Sequence, residues 1–472
     1  MKYRGTITVF LSLILTIILS LIMAVTESAI YHAARMKTEM IADMGMDSVF
    51  AEYNRELLSR YDLYFIDTSY GGMTPSLEEL KEHLRSYMDH NCSAGKGALL
   101  SAGDFTKMTV RSVDILGVSY ASDSTGRVFK RQAIEAVRDY YGITALNGIV
   151  SGVRQNAEDY KNTGYEETDM DAKEAELKAK LDGYDYKIPE NPAANVFDEK
   201  AGIMDALLET DGISKKHIEL SSLASHRHLN KGSGIMAPSY DPDSVLNELY
   251  FDEYLFEKFS DYIKNDGHNA ASYEIEYVLE GENTDIANLK KVVKKLLLVR
   301  YAADAAFIMT SSTKKETVEA VVEVIGLLLG LPTDMSKSLA DLILLAWAFG
   351  ESVSDVVRLL AGEKVPLKKT EEDWKMPLYS LVNIKAAAKP TGSKGTGFSY
   401  EDYLKVFLFL MDKNKKVMRA MDVVEMNLRL TEGNHGFRID GCAEYLDVYA
   451  GFTAKGRYEF GIRREQSYMP EF

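Results

Sequence analysis

Residues Thr6–Val25 read TITVFLSLILTIILSLIMAV, a run with no charge, proline or glycine. As a helix it spans about 30 Å, the thickness of a bilayer core. Lys2 and Arg4 stand just before it. The positive-inside rule therefore puts the first residues in the cytoplasm and everything after Val25 outside. The rival reading is a secretory signal peptide, whose apolar stretch is shorter and ends at a small-x-small cleavage site. Ala24-Val25-Thr26-Glu27 is a poor site of that kind, so an uncleaved anchor is favoured. The chain's first proline is Pro75, and Gly45 is the sole glycine between Thr6 and Tyr70. The sequence thus predicts one helix from about Thr6 to Ser59, roughly 80 Å long. Three- and four-residue steps recur within Met36, Met40 and Met44 and again within Phe50, Tyr53 and Leu57, and are read as one face. We read that face as core packing, docking the helix on a soluble domain through Phe50, Tyr53 and Leu57.

Around this anchor the composition is that of a folded chain. Of 472 residues, 46% are apolar and 27% charged, with a net charge of −16. Such a balance speaks against wholesale disorder and against a nucleic-acid partner, which requires a basic face. Two cysteines exclude a disulfide-dense scaffold and a four-cysteine zinc site.

Patterning predicts helices alternating with short strands. Tyr61–Asp67 is β-rich, and Ser76–Asn91 reads as a helix with Pro75 in its first turn. Phe105–Tyr120 reads as a strand irregular near Ser112, and Gly126–Ala157 as a helix. Hydrophobicity falls from about Tyr160 to Pro238, which reads as a polar, partly disordered insertion, helical near Asp171–Leu181. Asp241-Pro242 supplies the cap and first turn of a further helix. Ser272–Glu280 alternates as a half-buried strand. Helices are expected at Asn283–Thr310, Lys314–Leu331, Thr333–Phe349, Glu351–Ala361, Tyr400–Lys413 and Val417–Leu430. The apolar runs Val321–Leu331 and Leu339–Phe349 are each too short to span a bilayer, and read as a buried hairpin broken at Pro332. Alternation at Leu446, Val448, Ala450 and Phe452, and at Tyr458, Phe460 and Ile462 beyond Lys455-Gly456, predicts a C-terminal β-hairpin.

Several stretches carry a resemblance. A basic leader ending in Gly5, followed by an apolar helix that becomes amphipathic, resembles a type IV pilin-like N-terminus. The start GTITVFLSLIL is similar to the TadE/TadG group of the tight-adherence (Tad, Flp) pilus apparatus. MDSVFAEYNRELLSRYDLYFID (Met46–Asp67), EYVLEGENTDIANLKKVVKKLLLVR (Glu276–Arg300), LAWAFGESVSDVVRLLAGEKVPLKK (Leu345–Lys369) and RAMDVVEMNLRL (Arg419–Leu430) resemble the DUF5702 family of Firmicute membrane proteins over nearly the whole chain. The resemblance implies other Tad/Flp apparatus proteins as partners and a prepilin-peptidase site at Gly5-Thr6. One position departs from it: Phe10 stands where such pilins place the glutamate that pairs with a neighbour's N-terminal amine. Asp123-Ser124-Thr125 also lacks the D-x-S-x-S metal pattern of a von Willebrand A domain.

Chemistry-bearing candidates are few. His226 and His228 lack a third ligand and read as solvated loop residues. His435 near Cys442 does not make a zinc site. Cys92 and Cys442 either pair outside the cytoplasm or remain free. Glu351, Asp355 and Arg358 lie at helical spacing and read as surface ion pairs. Gly392–Gly397 (GSKGTG) lacks phosphate-loop spacing and reads as a flexible linker. No catalytic, cofactor or metal residue is assigned.

The expectation is an α+β protein in which an N-terminal transmembrane helix continues into a long amphipathic one, packed on a mixed helix and antiparallel-strand ectodomain. The expected divisions are a leader 1–5, a span 6–26, a pilin-like helix with a first α+β part 27–160, an insertion 161–240, and a second α+β part 241–472. The expected role is structural: a single-pass, membrane-anchored, pseudopilin-like or accessory component of a Tad/Flp-type pilus or secretion apparatus. The alternatives are a tethered module that binds envelope polymer or another cell, and, behind it, an envelope enzyme.

Overall fold

A computed structural model describes residues 3–93, 105–138, 207–208, 212–234, 244–265, 267–329 and 333–469, together with 152, 155 and 158. It is a mixed α+β protein, and the chain forms two compact units. They do not follow the linear division expected from the sequence. Unit 1 joins Met1–Gln132, His228–Asp241 and Leu428–Phe472, and unit 2 holds Ala133–Arg227 and Pro242–Asn427. The physical reason is strand pairing: the C-terminal strands complete a sheet begun near residue 66.

In unit 1, α1 (Tyr3–Phe50) is a continuous helix of 48 residues. Every large apolar side chain from Ile7 to Val25 is exposed. Among the described residues, α1 is the helix long and apolar enough to cross a membrane. Its distal half is docked. Ala34, Thr38, Ile41, Ala42, Met46 and Val49 are buried at helical spacing. Met36, Met40 and Met44 are not in the core, as expected from sequence, but exposed at 63%, 54% and 46%. The buried stripe starts two residues earlier in phase, on the opposite face. Gly45 lies where α3 (Leu77–Ser93) crosses, and a Cβ there would stand 2.7 Å from Met88 Cγ.

The expected single helix to Ser59 is also corrected. α1 ends at Phe50, and a separate α2 (Arg55–Tyr61) follows. Asn54 caps α2, its side chain accepting from the amides of Glu56 and Leu57. Of the expected docking residues, Phe50 (6% exposed) ends α1 and Leu57 (0%) sits in α2. Tyr53 is half-buried in the break and bridges Ile66. Just before the break, Glu52 accepts from the phenols of Tyr70 (2.9 Å) and Tyr87 (2.6 Å) and contacts His83 Nδ1 (3.0 Å).

The sheet is antiparallel. β3 (Cys442–Ala454) is central, with β2 (Met108–Tyr120) along one side and β4 (Tyr458–Ser467) along the other, where the two-residue β1 (Ile66–Asp67) also pairs. The hairpin matches the sequence reading, and so does the irregularity of β2, whose register shifts between Val110 and Ser112. Tyr61–Asp67 is mostly not a strand, because α2 occupies its start. α1 is fastened to β4: Asp43 takes Arg464 Nε at 2.5 Å, and Glu27 takes Tyr458 and Arg457.

Unit 2 is helical: α4 (Val245–Lys258), α5 (Glu274–Glu280), α6 (Asp285–Ile308), α7 (Ser312–Leu329), α8 (Thr333–Leu360), α9 (Tyr400–Leu410) and α10 (Lys413–Leu428). Ser244 caps α4, where the sequence suggested Asp241-Pro242, which lie outside the described residues. The helices expected on either side of Gly350 are one, α8. Gly350 is there for a close approach, since a Cβ would stand 2.7 Å from Leu381. The hairpin expected to be buried is buried only in part, because α7 exposes Val321, Val324 and Leu327.

Within the expected insertion, 212–227 is tied into unit 2, where Ile218 N donates to Asn283 O and Arg227 Nη1 reaches Glu425 at 2.6 Å. Residues 228–234 belong to unit 1, where Ser233 bridges Val118. The helix expected near Asp171–Leu181 lies outside the described residues. Residues 123–138 are helical, as expected of the start of Gly126–Ala157.

Candidate functional site: an acid-backed cleft in unit 2

An open cleft of about 680 Å³ lies among three stretches of unit 2. Gly212, Ile213 and Ser214 form one wall. The connection between α4 and α5 supplies Tyr262, Ile263, Asn265, Gly267, Ser272 and Tyr273, and Leu360 with Ala361 close the end of α8. Its volume is that of a small-molecule site. The Tyr262 and Tyr273 rings meet edge-on, 5.5 Å between centroids.

Behind this lining stand four buried carboxylates: Asp261, Glu274, Glu276 and Asp285, none more than 2% exposed. Each is held by neutral donors. Asp285 Oδ2 accepts from Ser214 Oγ (2.5 Å) and Ser272 N (3.0 Å). Glu276 Oε1 accepts from Tyr262 N (2.9 Å) and the Tyr400 phenol (2.7 Å). Glu274 takes Ser260 N, Ser260 Oγ, Asn269 and Asn427. Asp261 takes the amides of Ile263 and Lys264. No cation of the described residues pairs with any of them. Asp285 Oδ1 and Glu276 Oε2 are buried without a hydrogen-bond partner. Burial pushes the Glu276 carboxyl up to about 8, with Asp261 adding to the rise. Burial also raises Glu274, and it raises the Tyr273 phenol, which further feels Tyr262, Asp285 and Glu276.

The sequence reading missed these residues. It took Ser272–Glu280 for a strand with its glutamates facing water. The segment is the helix α5, buried on both sides and stopped by Gly281 in the left-handed region (φ 68°). The signal was present: glycine at a C-cap, then Thr284 capping α6 three residues later.

A second charged cluster overturns another expectation. Glu351, Asp355 and Arg358 are not surface ion pairs but are buried at 0%, 0% and 5% exposure. Arg300 from α6 donates to Asp355 Oδ2 through Nε (3.0 Å) and Nη2 (2.7 Å), and to Asp304 at 2.9 Å. Lys369 reaches Glu351 and, at 2.9 Å, Asp355 Oδ1, and Arg358 Nε reaches Glu363 at 2.9 Å. Helical spacing was read correctly. The error was to equate charge with solvent, for Val353, Val356 and Leu359 are buried too and the second half of α8 is enclosed all round. Burial holds the Asp304 carboxyl well above its usual range, with Asp355 and Glu351 adding to the rise. Burial opposes the charge of Asp355, but Arg300 and Lys369 outweigh it and hold this carboxyl low.

The other candidates lie apart. Gly392–Gly397 is no flexible linker. Glu363 accepts from Gly392 N (2.7 Å), Val365 pairs with Phe398, and a Cβ on Gly395 (φ 62°) would fall against the Lys364 carbonyl. His226 Nδ1 contacts Ser225 Oγ at 2.7 Å, and His435 Nδ1 contacts the Arg429 carbonyl at 3.0 Å. Among the described residues no three His, Cys, Asp or Glu are grouped to hold a metal ion. Cys92 and Cys442 are both buried, and no disulfide joins them in the structure. Arg4, Gly5 and Thr6 fall in the first turns of α1, and Lys2 lies outside the described residues.

The family of unknown function DUF5702 matches residues 183–454, more than half of the chain and including both charged clusters. The chain belongs to that family. No curated protein and no solved structure matches it.

Proposed function

We propose that the chain is a membrane-anchored structural component, pseudopilin-like or accessory, of a Tad/Flp-type pilus or secretion apparatus, with its N-terminus inside and its bulk outside. The observation that carries this reading is α1. One helix is uncharged and exposed from Ile7 to Val25 and packed against α3 and a sheet over its second half. Such a helix transmits the position of its membrane end to unit 1 without a hinge. Lys2 and Arg4 support the inside placement of the N-terminus. Phe10, in place of a carboxylate that would neutralise a neighbour's amine in lipid, argues for a minor, membrane-retained role rather than a filament shaft.

The test is Phe50→Ala. The Phe50 ring packs 4.8 Å from Tyr468, whose phenol donates to the Phe50 carbonyl at 2.5 Å. The truncation is expected to cost ~3–5 kcal/mol, to lower the melting temperature of the detergent-solubilised protein, and to reduce its recovery with pilus-apparatus proteins. Unchanged melting and recovery, or this chain as the main protein of sheared pili, would sink the reading. A second reading, a tethered binding module for envelope polymer or another cell, is supported by the tyrosine-lined cleft of unit 2.

A further inference from the structure

We propose that the cleft of unit 2 binds an organic cation, a primary ammonium or guanidinium group carried on a short aliphatic chain. This rests on the binding reading and names the chemistry of its ligand. Ser214 Oγ–H is spent inward on Asp285, Ser214 N on the Tyr273 phenol, Ser272 N on Asp285, Tyr262 N on Glu276 and Ile263 N on Asp261. The buried acids thus consume several hydrogen-bond donors of the lining, and Ser214 Oγ itself accepts from Lys216 N at 3.4 Å. A ligand that brings donors of its own suits a lining whose backbone donors are so largely turned inward.

Charge points the same way. Asp285 stands one hydrogen bond behind the lining residues Ser214 and Ser272, keeps a buried oxygen without a partner, and is paired with no cation of the described residues. Negative potential behind a low-dielectric wall is focused into the concavity it lines. The edge-on pair Tyr262 and Tyr273 adds ring faces that attract a cation. Lys216 Nζ donates to the carbonyls of the lining residue Gly267 (2.8 Å) and of Asn269 (2.6 Å), so this ammonium is held by backbone oxygens and not by any of the four acids. At about 680 Å³ the cleft exceeds one ammonium group and has room for the chain that carries it.

The experiment is calorimetric titration of the full-length protein in detergent with four probes: cadaverine, Nα-acetyl-lysine amide, Nα-acetyl-arginine amide and the neutral saccharide chitotriose. Cadaverine stands for a free amine, and the two amides stand for a peptide side chain. At least one cationic probe is expected to bind saturably while chitotriose does not. Ala361→Trp fills the exposed end of the cleft without touching the acids, and is expected to abolish binding. Asp285→Asn is expected to weaken it about tenfold or more, as loss of a charge-assisted contact does. Should Asp285→Asn fail to fold, Ala361→Trp decides. Binding of chitotriose alone would overturn the cation proposal and leave the binding reading standing. Binding of none would overturn both, and cation binding indifferent to Ala361→Trp would overturn the placement in this cleft.

Discussion

Two of the sets of carboxylates that unit 2 buries are solved in opposite ways. Around Arg300 the acids Asp304, Glu351, Asp355 and Glu363 are met by Arg300, Arg358 and Lys369, with burial pushing the Asp304 carboxyl up. Behind the cleft, Asp261, Glu274, Glu276 and Asp285 are met by hydroxyls, amides and phenols alone. The desolvation penalty for a buried ion is several kcal/mol unless a partner offsets it. The first set is therefore a closed structural knot. The second keeps an open electrostatic demand beside solvent-filled space, and that difference separates packing from candidate function here.

The comparison breaks most sharply at Lys369. Its side chain is fully buried and touches Glu351, Asp355 and Asp304. Lys369→Met removes the cation and strands the acids, with an expected loss of about 3–5 kcal/mol. The ammonium lies 5.5 Å over the Trp374 ring, which is 5.7 Å from Trp347, and these are the chain's two tryptophans. Denaturant unfolding followed by tryptophan fluorescence therefore reads the site directly. A near-neutral result would mean that the knot is not held by charge.

A smaller effect of opposite sign is expected at the cleft. Glu276 has its carboxyl raised from 4.5 to about 8. Between those values the folded state binds a proton that the unfolded state releases, so this group's contribution to stability falls as pH rises from about 4.5 to 8. Glu276→Gln mimics the protonated acid and keeps the acceptor for Tyr262 and Tyr400. It is expected to flatten that decline and to stabilise the protein by on the order of 2 kcal/mol at pH 8.5, while changing little at pH 5. Parallel pH–stability curves for variant and parent would show that Glu276 is compensated after all.

What sequence made legible, and what it hid, follows the same line. Period-two patterns with one apolar face disclosed β3, β4 and the bulge in β2 near Ser112, because Leu446, Val448, Ala450 and Phe452 all turn to the core. The run Thr6–Val25 was legible for another reason, its length without a charge. Where charge was buried the rule failed twice: α5 passed for a strand because Glu274 and Glu276 were taken to face water, and Glu351–Arg358 passed for a surface. Glycines misled as well. Gly350 was read as a helix end, but it only makes room for Leu381. Asn54 was an available cap signal for the break after Phe50. Pairing of β2 with β3 joins residues more than 300 positions apart, as with Val110 and Phe452, and no local pattern announces it.

The smallest effect sharpens the closed side of the comparison at its edge, where GSKGTG meets Glu363. Thr391 Oγ1 donates to Glu363 Oε2 at 2.7 Å, beside Arg358 Nε at 2.9 Å on the same oxygen. Burial alone would raise this carboxyl, but the bonds from Thr391, Arg358 and Gly392 outweigh it and hold it below its ordinary value. A depressed acid contributes stability that is complete above its unfolded pKa and is lost as pH falls through the folded one. Thr391→Val keeps the shape and removes one donor, with an expected cost of about 1–2 kcal/mol at pH 7. The cost should shrink toward zero in acid, once Glu363 is protonated in both proteins. Amide exchange gives the structural half of the test: Gly392 N is bonded to Glu363 Oε1 and should exchange slowly in the parent and faster in the variant. A loop that behaved as a free linker would show fast exchange in both proteins and no change in stability.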